Sequence, residues 1–360
     1  MNKRKCFLPV SILCMLSVSV PIVAAGSPDA RDARKVLRRF AKARENYTSF
    51  ILEAKTKTTF NYPQQHWKGE QYSNAEYRFD GNRGRECFSL WGNVDMYSTD
   101  VPENQAQYSS NLWDGKDHYT YNRPSAIGTK PGRVAISQKE DPEGVPKTRT
   151  TFVQNSVFPG LIMGYYQGDS GKRISEVLGR AKQLQLRQEK LRGVDCYVID
   201  AVVRGKGKYT LWIDPIHDYH IAKIHVQRRG NDYYNTSKIP KNDSSDELYE
   251  VLRFQKIEDS WFPLEYKTKT ETRMRGNLGT FERNAKITHI VLDPDHDALG
   301  SFLPDDVPNG SVVRLLSLPP SMKFVWQDGV VVDKDGRKVD VGKLIKAESE
   351  KVKKPKPKRR

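Results

Sequence analysis

Between residues 193 and 227, three runs rich in Val, Ile, Tyr and Trp follow one another with only short polar turns between them: 196–203, 209–214 and 220–227. That pattern reads as three consecutive antiparallel strands. The third run alternates, with Ala222, Ile224 and Val226 on one face and Ile221, Lys223, His225 and Gln227 on the other, as in a strand that is wet on one side. The first run is apolar at nearly every position except Asp200, so it is expected to be covered on both faces. No catalytic signature lies within this meander, and the question becomes what such a sheet holds.

The flanking sequence extends the same sheet. Residues 29–47 place Val36, Leu37, Phe40 and Ala43 at helical spacing with Arg and Lys elsewhere, an amphipathic helix whose apolar stripe should dock on its own domain. Strands follow at 50–60, 66–79 and 85–91, and a hairpin at 108–113 and 116–121 turns through Asp114-Gly115. Residues 122–146 are dominated by Pro, Gly, Lys and Glu and read as a long loop with one short strand at 134–137. A strand at 182–192 leads into the meander, and long strands at 247–258, 261–272 and 279–292 follow a polar break at 229–246 that is expected to be disordered. Beyond a Pro- and Gly-rich stretch, a small hairpin is expected at 323–326 and 330–332, and a disordered tail at 334–360.

The two ends speak to compartment. Lys3-Arg4-Lys5, an apolar run at 6–23 and the small residues Val23-Ala24-Ala25 read as a secretory signal peptide cleaved near Ala25, with retention as an anchor the alternative. The mature chain then keeps two cysteines, Cys87 and Cys196, which could pair as a disulfide in an oxidising compartment or remain two buried thiols. The formal charge is +16, but Lys3, Arg4 and Lys5 and the nine Lys or Arg of residues 343–360 carry much of it. A solvated basic tail touching an anionic membrane surface therefore explains the charge better than nucleic-acid binding, and no nucleic-acid partner is expected.

The common catalytic signatures are missing: there is no G-x-S-x-G elbow, no H-E-x-x-H and no phosphate-binding glycine loop between a strand and a helix. Gly205-Lys206-Gly207 joins two strands and reads as a tight turn. His217, Asp218 and His220 could in principle hold zinc, and Asp293, Asp295 and Asp297 begin a calcium-loop spacing, but the latter lacks the required Gly and Glu further on. Both read as surface turns. No catalytic residue, metal or cofactor is expected.

Residues 151–167, TFVQNSVFPGLIMGYYQ, are too irregular for a strand and too apolar to be exposed. Followed by a short helix at 171–181, they are the natural cover for the apolar face of the sheet. If the cover is loose, a dry groove could admit an acyl chain; if it is tight, the core is simply closed.

The order of elements resembles a known group. The exported chain opens with a helix and a strand, then runs Phe79-Asp80-Gly81 with an Arg-rich turn, Trp113-Asp114-Gly115, Gly193-x-x-Cys196-Tyr197-x-Ile199, Leu211-Trp212-Ile213-Asp214-Pro215 and Lys223-Ile224. Over about residues 30–295 it is similar to the periplasmic lipoprotein carrier and receptor superfamily, which includes the lipoprotein-sorting chaperone, RseB-like stress sensors and mycobacterial lipid carriers. The resemblance implies a mainly β (α+β) fold, with an antiparallel sheet of about 11 strands curled into a half-barrel. An N-terminal helix and a partly helical lid over 151–181 would cover its concave side. It implies a non-enzymatic, monomeric protein of the periplasm or envelope of a diderm bacterium, binding lipid or lipoprotein acyl chains. The groove and lid would be formed by Phe152, Phe158, Leu161, Ile162, Met163, Tyr165, Tyr166, Ala222, Ile224 and Val226. The alternative is an envelope interaction or stress-sensing module with a filled core. Residues 296–360 have no counterpart in the small carriers.

Overall fold

The computed structural model describes residues 30–93, 100–124, 132–138, 157–169 and 171–353. The expected signal peptide, most of the long loop and Phe152 lie outside the described residues. So does the side chain of Phe158. Among the described residues, no helix is long and apolar enough to cross a membrane.

One sheet organises the chain. In sequence order its strands are β1 (Ser49–Tyr62), β2 (Trp67–Asp80), β3 (Arg83–Gly92), β4 (Gln107–Trp113), β5 (Asp117–Arg123), β6 (Arg133–Gln138), β7 (Gln183–Leu191), β8 (Val194–Val203), β9 (Gly207–Asp214) and β10 (His220–Arg229). A two-stranded hairpin, β11 (Tyr233–Tyr234) and β12 (Ser237–Lys238), stands apart. The sheet resumes with β13 (Ser244–Ile257), β14 (Ser260–Met274) and β15 (Asn277–Leu292), then β16 (Val312–Leu315), β17 (Phe324–Gln327) and β18 (Val330–Val332). Spatially the order is β18-β17-β16-β6-β5-β4-β3-β2-β1-β15-β14-β13-β10-β9-β8-β7, a curved sheet that does not close.

The sheet thus has 16 strands among the described residues, and the expectation of about 11 is corrected. The excess comes from residues read as loop or as a separate hairpin. The short β16, in a Pro- and Gly-rich stretch, pairs parallel with β6, Val312 beside Arg133 and Leu315 beside Ile136, and carries the β17–β18 hairpin onto the same sheet. Parallel pairing between distant segments leaves no local turn signal.

Side chains divide the sheet into two faces. The inner face carries the main core, where α1 (Ala30–Ala43) buries Ala33, Val36, Leu37 and Phe40 at positions i, i+3, i+4 and i+7 against the strands. The short helices α2 (Val157–Ile162) and α3 (Ile174–Gly179) add Leu161, Ile162, Ile174, Val177 and Leu178. Lateral register from Phe50 through Phe79, Gly84 and Trp113 to His118 carries this face across to β5. Tyr119 and Tyr121 therefore point the opposite way. There, on the outer face, Tyr121, Val134 and Ile136 pack with Val313, Leu315, Phe324, Trp326 and Val331 to form a second core.

The tail also departs from expectation. Helix α4 (Val341–Lys353) occupies residues read as disordered, with Val341, Leu344 and Ile345 packed on the second core. The apolar side chains before Lys346 are few, but a preformed apolar surface makes them enough. The break at 229–246 is also ordered. Tyr233 N–H donates to Gly205 O at 2.8 Å, Asn235 N–H to Gly168 O at 2.7 Å and Ile239 N–H to Asp232 O at 2.8 Å, so backbone bonds replace the apolar pattern the sequence lacks.

Cys87 and Cys196 are free thiols. Their strands, β3 and β8, lie eight positions apart in the sheet, about 38 Å along it at ~4.8 Å per strand, whereas a disulfide needs Cα atoms within about 7 Å. The two thiols are unpaired in this structure.

Candidate functional site

The inner face of the meander differs at one position from the alternation in the sequence. Ile221 pairs with Ile213 and Lys223 with Trp212, so β10 carries a bulge at Ala222. The extra residue moves Ala222 to the outer face with Cys196, Val198 and Trp212, and turns Ile221 inward, where it is buried with Ile224 and Val226. Ala222 is therefore removed from the expected groove.

The segment expected to cover Ile224 and Val226 shares their core. Leu161, Ile162, Met163 and Tyr166 are each no more than 5 % exposed and belong to the same core as the two strand residues, with Tyr165 half-buried against it. Its chain folds back on itself, Ile174 N–H donating to Gly164 O at 2.8 Å. Gly164 has φ +83°, and its backbone packs on the Arg44 side chain. In this structure the segment is packed into the main core.

Two buried arginines flank the cover. Arg44, just beyond α1, is 1 % exposed and has no carboxylate at ion-pair distance among the described residues. Its Nη1 donates to His220 Nδ1 at 2.5 Å and its Nη2 to Asp218 O at 2.5 Å, and its guanidinium lies 4.8 Å from the Tyr47 ring centre. Burial lowers its pKa to about 10. Burial, reinforced by Arg44, holds His220 neutral, well below the ordinary histidine range. Its Nε2 then donates to Trp261 O at 2.6 Å. His217 meanwhile engages Asp214, Nδ1 to Oδ2 at 2.6 Å, so these two histidines serve the turn around Asp214.

Arg228 is the other, and it ties the cover to the sheet. It is fully buried on β10, two residues beyond Val226 on the inner face. Its Nη1 donates to Glu247 Oε1 on β13 at 2.7 Å; its Nη2 donates to Asp169 Oδ1 at 3.2 Å and Gln167 O at 3.4 Å, both at the end of the cover. Tyr166 donates to Glu247 Oε2 at 3.0 Å and Tyr209 to Asp169 Oδ1 at 2.7 Å. One guanidinium thus serves two buried carboxylates. Burial pulls against the charge of Arg228, but Glu247, Tyr209 and Asp169 hold its pKa above the ordinary value. Burial raises the Asp169 carboxyl despite the pull of Arg228. The turn at Gly207 (φ +103°) allows this approach, since a β-carbon there would collide with the carbonyl oxygen of Gln227.

Beside this network opens a cavity of about 370 Å³. Gln167 at the end of the cover, Tyr234 of the β11–β12 hairpin, Ile239 and Pro240 just beyond it, and Thr270, Met274 and Phe281 of β14 and β15 line it. Its volume falls within the roughly 300–1,000 Å³ of small-molecule sites. Part of its wall comes from the polar stretch 229–246, whose composition points to disorder, although Tyr233-Tyr234 and Ile239-Pro240 are apolar signals within it.

No family model and no curated protein matches the chain. Among solved structures it is similar to a DUF1329 family protein from Desulfovibrio piger, at 10% identity and a TM-score of 0.38 over 78% of this chain and 100% of that one. It is also similar to a putative outer membrane lipoprotein-sorting protein domain from Vibrio parahaemolyticus, at 10% identity and a TM-score of 0.37 over 74% and 94% of the two chains. A third is the MucA/MucB complex structure of Pseudomonas aeruginosa, at 10% identity and a TM-score of 0.24 over 73% and 99%. At such scores these neighbours carry no weight for ligand or mechanism, which have to come from the residues themselves.

Proposed function

We propose that this chain is a non-enzymatic binding protein of the cell envelope that takes up an apolar ligand, lipid or lipoprotein acyl chains, on the inner face of its sheet. The observation that carries the reading is the cavity of about 370 Å³ whose rim, at Gln167, is the end of the cover. A chain seated against Tyr234, Ile239 and Phe281 would advance beneath the cover, displacing Leu161, Ile162 and Met163 from Ile224 and Val226.

The energies are of comparable size. Uncovering three such side chains costs about 5–9 kcal/mol at ~1.5–3 kcal/mol each, while burying ten methylenes returns about 8 kcal/mol. Near balance is what reversible loading and unloading require. The basic tail, which ends beyond the described residues, would bring the protein to an anionic membrane surface.

Uptake of a fluorescent fatty acid tests the site. Thr270 lines the cavity on β14 and is half-buried, so Thr270→Trp fills the space without disturbing the main core. Affinity is expected to fall at least about tenfold, equivalent to roughly two displaced methylenes. Unchanged uptake by a folded T270W protein would remove the cavity from the binding path.

A further inference from the structure

A second cavity, on the outer face, has a different chemistry. It occupies about 550 Å³ where β14, β15, β1, β2 and β3 run side by side, on the side of the sheet away from the helical cover. Tyr72 and Trp91 are cross-strand partners, both half-buried, whose rings stack at 6.0 Å between centroids and within 18° of parallel, with Lys57 Nζ 5.5 Å over the Tyr72 ring, so the pair forms an aromatic side to the site. Two residues along the strands, about 7 Å away, Lys55 lies between Asn74 on β2 and Lys286 on β15. Asn284 completes the floor beside Lys57.

The pairing of Lys55 with Lys286 sets like charges directly opposite, an arrangement that costs energy in a sheet. Lys57 is neutralised by Glu70 at 2.8 Å, whereas Lys286 reaches Glu265 only at 4.0 Å and Lys55 has no ion pair among the described residues. An acyl chain does not suit this site, because charged and amide groups line it beside the rings. Nucleic acid does not suit it either, because its phosphates need a run of cations, whereas here Lys55 and Lys286 form a single seat for one anionic group. A sugar ring fits: its C–H face stacks on an aromatic surface and its hydroxyls satisfy the donors and acceptors of Asn74 and Asn284.

We propose that the outer face binds an acidic oligosaccharide, with one ring on Trp91 and Tyr72 and a carboxylate between Lys55 and Lys286. Such a ligand would relieve the like-charge pair at the same time as it covers the aromatic wall.

Isothermal titration of the full chain with trigalacturonate, and with maltotriose as the uncharged control, tests the assignment. Trigalacturonate is expected to bind at least about tenfold more tightly than maltotriose, with an advantage that shrinks as salt rises. Trp91→Ala should weaken it about tenfold or more, the scale of losing an aromatic stacking surface. Lys55→Gln, a surface change that spares the fold, should remove most of the preference for the acid. Absence of binding at millimolar trigalacturonate, equal affinity for maltotriose, or binding indifferent to both substitutions would overturn the proposal. Fatty-acid uptake is expected to be unchanged in both variants.

Discussion

Replacing Arg228 with leucine is expected to destabilise the protein by about 3–5 kcal/mol, the range for removing one partner of a buried ion pair. The size follows from what remains. Asp169 and Glu247 would be left as two carboxylates at 0 % and 2 % side-chain exposure with no guanidinium between them. Domain stabilities are commonly about 5–15 kcal/mol, so the loss is a large fraction of the total. Lysine is not expected to rescue, because a point-like ammonium cannot reach Glu247, Asp169 and the Gln167 carbonyl at once as the planar fork does. Adding Asp169→Asn to Arg228→Leu should recover part of the loss by removing one stranded charge. Urea unfolding of the two variants checks this, and equal midpoints for R228L and wild type would show that the network does not hold the cover.

The second large effect is local. Ile162 is 1 % exposed at the end of α2 and packs in the main core with Ile224 and Val226. Ile162→Ala is expected to cost about 2–5 kcal/mol, through lost transfer energy and the cavity left behind. Because α2 is a six-residue helix held mainly by what it packs on, most of that loss should appear as easier opening of the cover. Hydrogen exchange should then accelerate at amides such as Ile174 and Tyr165 while those of β8 and β9 stay protected. Fatty-acid association should quicken in the same variant. Uniform acceleration across the whole sheet would mean that the cover does not open as a unit.

The two effects explain why some of this molecule could be read from sequence and some could not. Helix α1 was legible because Val36, Leu37 and Phe40 follow the 3.6-residue period, and the meander was legible because its turns are local. The position of Ala222 was not, because a one-residue bulge against β9 reverses the faces while leaving the alternation of letters intact. The pairing of β16 with β6 was not, because it joins segments that share no turn. The arginine network sits between these cases. Ile224, Val226 and Arg228 continue one inward series at every second residue, so a charge at an inward position was visible in the string. Its partners Asp169 and Glu247 come from distant segments and could be identified only in three dimensions.

Loading of the inner face by an apolar chain is the claim on which the functional reading stands. Native mass spectrometry of the protein purified from its own envelope addresses it without assuming a ligand. An added mass of acylated lipid that is retained by wild type and lost from T270W is the expected spectrum. A ligand-free species that also fails to take up fluorescent fatty acid would contradict the reading and leave the closed cover as a packed core.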